Sequence, residues 1–404
     1  MILIMAWRNI WRNKMRSLII MLSVAIGFFA GVAVLALYKG MLRARVQTVI
    51  NREIGHLQIH NPAFKMDYNA DYTIADKEHL QGFLNQLPEI KYFTTRSITQ
   101  GMLATATGSS GVQINGIFPL SENAVSQLDK KIIEGNAFDT SKHNQVLISK
   151  KLSDKLKIKL NNKVVLTFTD RENAISSAAF RVAGIYQTIN TPLDERNVFV
   201  QQKDLNGLLG VDDRFHEIAI ILKQDEQLQT VKEKLQKQFP LLLIESWSEI
   251  SPETELMVVS SNQYMYIVVV IIMMALAFGI INTMLMAVLE RTREIGMITA
   301  LGMNKLKLTA LILCETIFLT LAGTPLGFAM AWVGTEYFSK NGINISRYSK
   351  EAMSSFGFES VIYPEFPFEK ILTILIIVIL TALLAAVFPT IKALRLQPAD
   401  ALRR

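Results

Sequence analysis

The side chains able to do chemistry are few, and they are scattered. The five histidines, His56, His60, His79, His143 and His216, form no cluster in the sequence. His56 and His60 fall in one expected strand, where four residues of spacing puts them on the same face ~13 Å apart, too far for a shared metal ion. No Ser/His/Asp order and no paired acids give a reason for catalysis. Cys314 is the single cysteine, so no disulfide can form within the chain and any outer domain must hold together by its own core. A Walker A phosphate loop needs Gly-Lys, and none of the 21 glycines is followed by lysine. The chain therefore reads as no enzyme: no catalytic residue, no metal and no nucleotide bound by the chain itself.

Two features remain. Glu315 lies about two turns inside an apolar run, where an acid is costly and asks for a role. It is near one end of that run, so pairing with a neighbouring basic residue is expected rather than proton coupling. The second feature is the stretch Glu290-Arg-Thr-Arg-Glu-Ile-Gly-Met-Ile-Thr-Ala-Leu-Gly302. Its first turn is dense in charge, Ile295, Ile298 and Leu301 give an apolar face, and Gly302 fits a C-cap. A minimal helix connection needs about 2–8 residues, so the 290–307 loop has room for a helix of three turns. Such a helix can dock in a groove of a partner. Equally, it can be a solvated connector with its apolar side chains toward the membrane.

The elements that position these residues follow from hydropathy. Of 404 residues, 50% are hydrophobic and 19% charged, against ~25% charged in soluble domains. The apolar residues concentrate in four runs, 17–39, 264–289, 308–334 and 371–388, each near the ~20 residues that cross the hydrocarbon. The first is too long for the apolar core of a cleaved signal peptide and reads as an anchor. Basic residues flank the runs on one side: Arg8, Arg12, Lys14 and Arg16; Arg291, Arg293, Lys305 and Lys307; Lys392, Arg395, Arg403 and Arg404. The other side carries Glu351, Glu359, Glu365 and Glu369 against Arg347 and Lys350. The positive-inside rule then puts both termini and the 290–307 loop in the cytosol, with 40–263 and 335–370 outside. This placement accounts for the net charge of +7, which otherwise would suggest nucleic acid. Residues 1–16 read as an interfacial helix, with Trp7/Trp11 and Arg8/Arg12 each four apart. Gly27/Gly31 and Gly323/Gly327 are GxxxG pairs within spans, suited to close helix packing within one unit or between two subunits.

Segment 40–263 is soluble in character and holds two similar units. A strand at 55–61 precedes a helix with Leu80, Phe83, Leu84 and Leu87 on one face, then a strand from about 91. A strand at 216–222 precedes a helix with Leu228, Val231, Leu235 and Phe239 on one face, then a strand at 241–244. Both are βαβ patterns, with Asp76 and Asp225 as expected N-caps. Between them, 108–213 is expected to be a β-rich insert with strands at 112–117, 145–149, 164–168, 180–186 and 197–201 and one helix, 150–156.

The stretch from Glu290 to Gly302 resembles the coupling helix of the FtsX-like ABC permeases, which include the LolC/LolE lipoprotein-releasing type and the membrane part of MacB. The entry Ala6-Trp-Arg-Asn-Ile-Trp-Arg-Asn-Lys-Met-Arg-Ser17 is similar to that family's N-terminal elbow. Gly55-His-Leu-Gln-Ile-His-Asn-Pro62 is similar to the start of its outer domain, and Pro389 to Arg403 to its C-terminal tail. The resemblance implies four spans and an α+β outer domain of two βαβ porter parts (40–107 and 214–255) with a sabre insert (108–213). It implies a separate cytosolic ATPase that binds ATP and Mg, contacted by Arg291, Arg293, Glu294, Ile295, Gly296, Leu301 and Gly302. It further implies a second permease subunit, identical or paralogous, a bacterial inner membrane, and lipoprotein or other lipophilic cargo moved by mechanotransmission. Alternatives within the resemblance are a MacB-like exporter of peptides or amphiphiles and an FtsX-like switch for a periplasmic hydrolase. The loop 170–177 corresponds to the carrier-recruiting hook of the LolC type, but here it is short and has no proline.

Overall fold

The computed structural model describes residues 2–12, 14–188, 191–300, 303–344 and 361–395. Leu301, Gly302, Arg347, Lys350, Glu351, Glu359, Arg403 and Arg404 lie outside the described residues. The chain divides into two compact units, one combining the residues up to Leu42, Val258–Asn344 and those from Val361, the other holding Arg43–Met257.

Four helices among the described residues, each with most of its length in the first unit, are long and apolar enough to cross a membrane: Lys14–Val49, Pro252–Glu290, Lys305–Asn341 and Phe368–Leu394. Several outrun the hydropathy limits. The first has 36 residues, about 54 Å at the helical rise against ~30 Å of hydrocarbon. Hydropathy marks only where the side chains turn polar, and from 41 to 54 there is no glycine or proline to stop the helix. It ends in a wider turn, Ile50–Ile54. The fourth was expected to stop at 388 but continues through Pro389 to Leu394, which buried helices tolerate where neighbours satisfy the freed backbone. A separate helix, Ile2–Arg12, buries Ala6 and Ile10 and packs against Lys305–Asn341. Its Trp7 meets Phe318 edge-on at 5.8 Å. The bundle interior is apolar, with Phe28, Val32, Val269, Ile280, Leu319 and Val378 buried.

The second unit is built on one ten-stranded sheet. Its strands are β1 (Leu57–His60), β2 (Ile90–Thr105), β3 (Gly108–Ile117), β4 (Ile132–Gly135), β5 (Gln145–Ser149), β6 (Lys163–Thr169), β7 (Ile175–Tyr186), β8 (Asn197–Gln201), β9 (Glu217–Leu222) and β10 (Leu243–Ser246). The order is β10-β1-β9-β2-β3-β8-β5-β7-β4, with β6 pairing β2 and β7. Both βαβ patterns are present, but their strands interleave: β9 lies between β1 and β2, and β1 lies between β9 and β10. This is the split βαβ arrangement. Helices Lys77–Gln86 and Leu228–Gln238 share one core, where Leu80, Leu84, Val231 and Leu235 cover Leu57, Ile59, Ile218 and Ile220.

A second core runs from Val112 to Val211 and takes in Ala70 and Leu103, which lie before the expected insert boundary at 108, because the end of β2 pairs with β6. The insert holds three helices beyond Lys150–Leu156: Pro119–Ser126, Thr191–Arg196 and Gln202–Leu209. These are too short for their apolar period to stand out. Two cap expectations are corrected. Asp76 sits at the N-cap in a left-handed conformation and makes no capping bond; its carboxylate faces His79 Nδ1 at 3.2 Å. Asp225 opens a short turn, Asp225–Gln227, and its carboxylate accepts from His56 Nε2 at 3.0 Å. His56 itself lies before β1, not within it.

Candidate functional site

The loop between spans two and three forms a helix, Thr292–Ala300. The long second-span helix ends at Glu290, and the turn at Arg291 breaks the register between the two. That break decides where the charges point. Arg291 folds inward, its Nη1 donating to Glu315 Oε1 and Oε2 at 3.3 and 3.4 Å. Its Nε donates to Glu294 Oε2 at 3.1 Å. Glu294 also pairs with Arg12 of the first helix, and Arg16, at the foot of span one, reaches Glu315 Oε1 at 3.4 Å.

The network is graded in exposure. Arg16, Arg291 and Glu315 keep 10%, 12% and 9% of their side-chain surface, whereas Arg12 and Glu294 keep 51% and 46%. Partial burial works to raise the Glu294 carboxyl, but the hydrogen bond from Arg291 and the charge of Arg12 outweigh it and hold it below the usual range. A small cavity of about 120 Å³ adjoins the network, walled by Asn9, Ile295, Ile298, Leu308 and Ile312 among others.

The residues expected to meet an ATPase thus divide. Arg293 is exposed and Gly296 is buried, and Ile295 packs against the bundle core. Arg291 and Glu294 make their contacts inside the unit, while Met297, which the motif did not single out, is 52% exposed. Leu301 and Gly302 lie outside the described residues. The sequence carried one signal for the inward network: an acid in span three, opposite in sign to the basic foot of span one.

Both GxxxG pairs lie against helices of the same chain. A Cβ on Gly323 or Gly327 would fall 2.6 Å from the carbonyl oxygens of Met21 and Ala25, one turn apart on span one. Side chains there would force the helices apart. Gly27 faces Leu276 of span two, with a Cβ 2.8 Å from its Cδ2, and Gly31 lies beside Met273 and Ile374 with more room, 3.4 Å at the nearest.

A second polar cluster, in the outer unit, went unread in the sequence. His60, Glu217 and Arg96 form a row across β1, β9 and β2, paired through the register His60↔Glu217 and Arg96↔Glu217. Arg96 donates to Glu122 from Nε at 2.9 Å and Nη2 at 2.7 Å, and to Glu217 from Nη1 at 2.8 Å. Burial works against the Arg96 charge, yet the two carboxylates hold its pKa above the usual value. Burial also opposes both carboxylates. The Arg96 charge and its two hydrogen bonds bring Glu122 below its ordinary range, while Glu217, with one hydrogen bond from Arg96, stays above it. Burial, with the charge of Lys65 nearby, pushes His60 down to about 3. These groups border a cavity of about 240 Å³. No group of three or more His, Cys, Asp or Glu side chains among the described residues is placed to hold a metal ion.

Comparison with known proteins fits both units. Residues 17–238 match the MacB-like periplasmic core domain, and residues 266–398 match the FtsX-like permease C-terminal region. The chain belongs to the FtsX-like ABC transporter permeases with a MacB-like outer domain. An uncharacterized ABC transporter permease of Methanocaldococcus jannaschii is 23% identical, covering 100% of this chain and 97% of the relative. The lipoprotein-releasing system transmembrane protein LolC of Neisseria meningitidis is 22% identical, covering 97% of this chain and 95% of LolC. The periplasmic region of MacB from Actinobacillus actinomycetemcomitans aligns with a TM-score of 0.35 at 15% identity, over 49% of this chain and 92% of that one. The permease is thus the membrane-spanning subunit of an ABC transporter, and permeases of this family work with a cytosolic ATPase.

Proposed function

We propose that this permease is a mechanical transmitter, with both termini and the Thr292–Ala300 helix in the cytosol of a bacterial inner membrane. A separate ABC ATPase dimer binds ATP and Mg and grips that helix. Its closing moves the spans, and the spans move the outer domain, in which 40–107 and 214–255 act as porter and 108–213 as sabre. Two permease subunits, identical or paralogous, form the working unit. The cargo is a lipid-anchored protein taken from the outer leaflet.

The observation that carries this reading is the short helix between two long ones, bonded inward through Arg291 and Glu294 while Arg293 and Met297 are left exposed. A solvated connector would have no need of the ion pairs that tie Glu294 to Arg12 and Arg291 to Glu315. The cargo assignment draws on the relatives named for lipoprotein release. The match to a MacB-like core domain favours, as a second reading, export of peptides or amphiphiles.

Affinity purification of the tagged chain from native membranes tests the transmitter: an ABC ATPase should co-purify, and its consistent absence would overturn the reading. Depletion separates the cargoes. Lipoproteins held back in the inner membrane support release, and normal sorting with new sensitivity to amphiphiles supports export.

A further inference from the structure

We propose that Glu315 is a positioning residue that clamps the Arg291 turn, and with it the start of the Thr292–Ala300 helix, to spans one and three, so that these elements move as one body. The inference rests on the transmitter reading and adds to it the residue through which force leaves the helix.

The coupling helix is nine residues long. At one end it meets span two through the turn at Arg291. At the other, beyond residues 301–302, Asn304 caps the next helix through its side chain. A helix this short between two breaks can roll without moving its neighbours unless something ties it down. Apolar contact through Ile295 is one tie. The ionic path is the other, and it alternates in sign through Arg12, Glu294, Arg291, Glu315 and Arg16. It joins the first helix, the coupling helix, the Arg291 turn, span three and the foot of span one. Glu315 is the one acid in 308–334, and it is the point where two arginines from different elements converge.

Two details describe this path. The contacts to Glu315 are 3.3–3.4 Å, longer than the ~2.7–2.9 Å of a tight charge-assisted bond, and they hold its carboxylate from two elements. Arg16 Nη1 is buried without a hydrogen-bond partner, a spare donor beside Glu315. The groups nearest Glu315 are about nine-tenths buried, where salt screens a pair little.

The test uses the full-length chain in lipid nanodiscs, with Cys314→Ser and spin labels at Met15→Cys, at the foot of span one, and Met297→Cys, both exposed positions. The parent should give one narrow distance distribution. Glu315→Gln and Arg291→Gln should each broaden it, the double variant should broaden it no further than either single one, and Arg291→Lys should restore it. In the ATPase-bound complex, trapping with ATP and vanadate should leave the parent distance unchanged and shift it in the Gln variants. A distribution equally narrow in Glu315→Gln would overturn the clamp. If Glu315→Gln does not yield monodisperse protein, Arg291→Gln with Glu315 intact decides the clamp in the same way. ATPase binding is read separately on the unlabelled chain, where its failure would overturn the transmitter reading alone, because the distances in the isolated chain still decide the clamp.

Discussion

Arg96 in the outer unit and Arg291 at the foot of span two each hold two glutamates, but the two arginines are set in opposite ways. Arg96 makes three bonds of 2.7–2.9 Å with side chains all but removed from solvent. Arg96 and Glu217 already face each other in paired strands. Arg291 makes longer bonds that run from a half-exposed carboxylate to a buried one, and it sits at a break between helices. The first cluster ties elements that the sheet already fixes. The second ties elements that nothing else in the backbone fixes. Similar side chains therefore lock one region and, in the proposed reading, couple moving elements in the other, with deeper burial and shorter bonds at Arg96 than at Arg291.

The sharpest way to break this contrast is at Arg96. Arg96→Met leaves two buried carboxylates without a partner and should cost about 3–5 kcal/mol, read as faster hydrogen exchange in β1, β2 and β9 of the full-length chain. Replacing the triad together, Arg96→Met with Glu122→Leu and Glu217→Leu, should recover most of that loss. If Arg96→Met exchanges like the parent, the outer cluster is no lock.

The membrane unit should draw its stability from close packing instead. Gly327→Ala puts a methyl against the Ala25 carbonyl and should cost about 1–3 kcal/mol, seen as a lower melting midpoint in detergent. Gly31→Ala, with its nearest neighbour at 3.4 Å, should behave like the parent.

Acid separates the regions next. His60 has its pKa lowered from 6.5 to about 3 in the fold, so the unfolded chain binds its proton first. Its contribution is complete above pH 6.5 and falls by about 1.4 kcal/mol per pH unit on the way down to about 3. His56 and His216 are shifted the same way by burial. Protection in β1 and β9, corrected for the intrinsic pH dependence of amide exchange, should fall as the pH drops from 6.5 to 5, and His60→Asn should flatten that fall in part. The smallest effect belongs to Arg12→Ala, a half-exposed pair worth less than about 1 kcal/mol. A larger loss of thermal stability there would blur the distinction.

Much of this architecture can be read from the sequence because hydropathy and alternation are local signals. Strands β5 and β8 and the Lys150–Leu156 helix fall where their patterns end. What stayed hidden depends on partners. The two βαβ patterns look self-contained, since periodicity does not say that β9 will enter between β1 and β2. The run from Glu290 to Glu294 looks like one charged face, since only the break at Arg291 turns two of its residues inward. Arg96, Glu122 and Glu217 are 121 positions apart at the extremes, and no spacing links them.

The central claim is that the Thr292–Ala300 helix presents Arg293 and Met297 to a nucleotide-driven partner. Single cysteines at 293, 295, 297 and 298 in the Cys314→Ser chain, crosslinked with a short bifunctional reagent in native membranes, test it most directly. Strong adducts to the ABC ATPase from 293 and 297 that change with ATP, and weak ones from 295 and 298, are the predicted result. Equal adducts from all four positions, or none from 293 and 297, would contradict it.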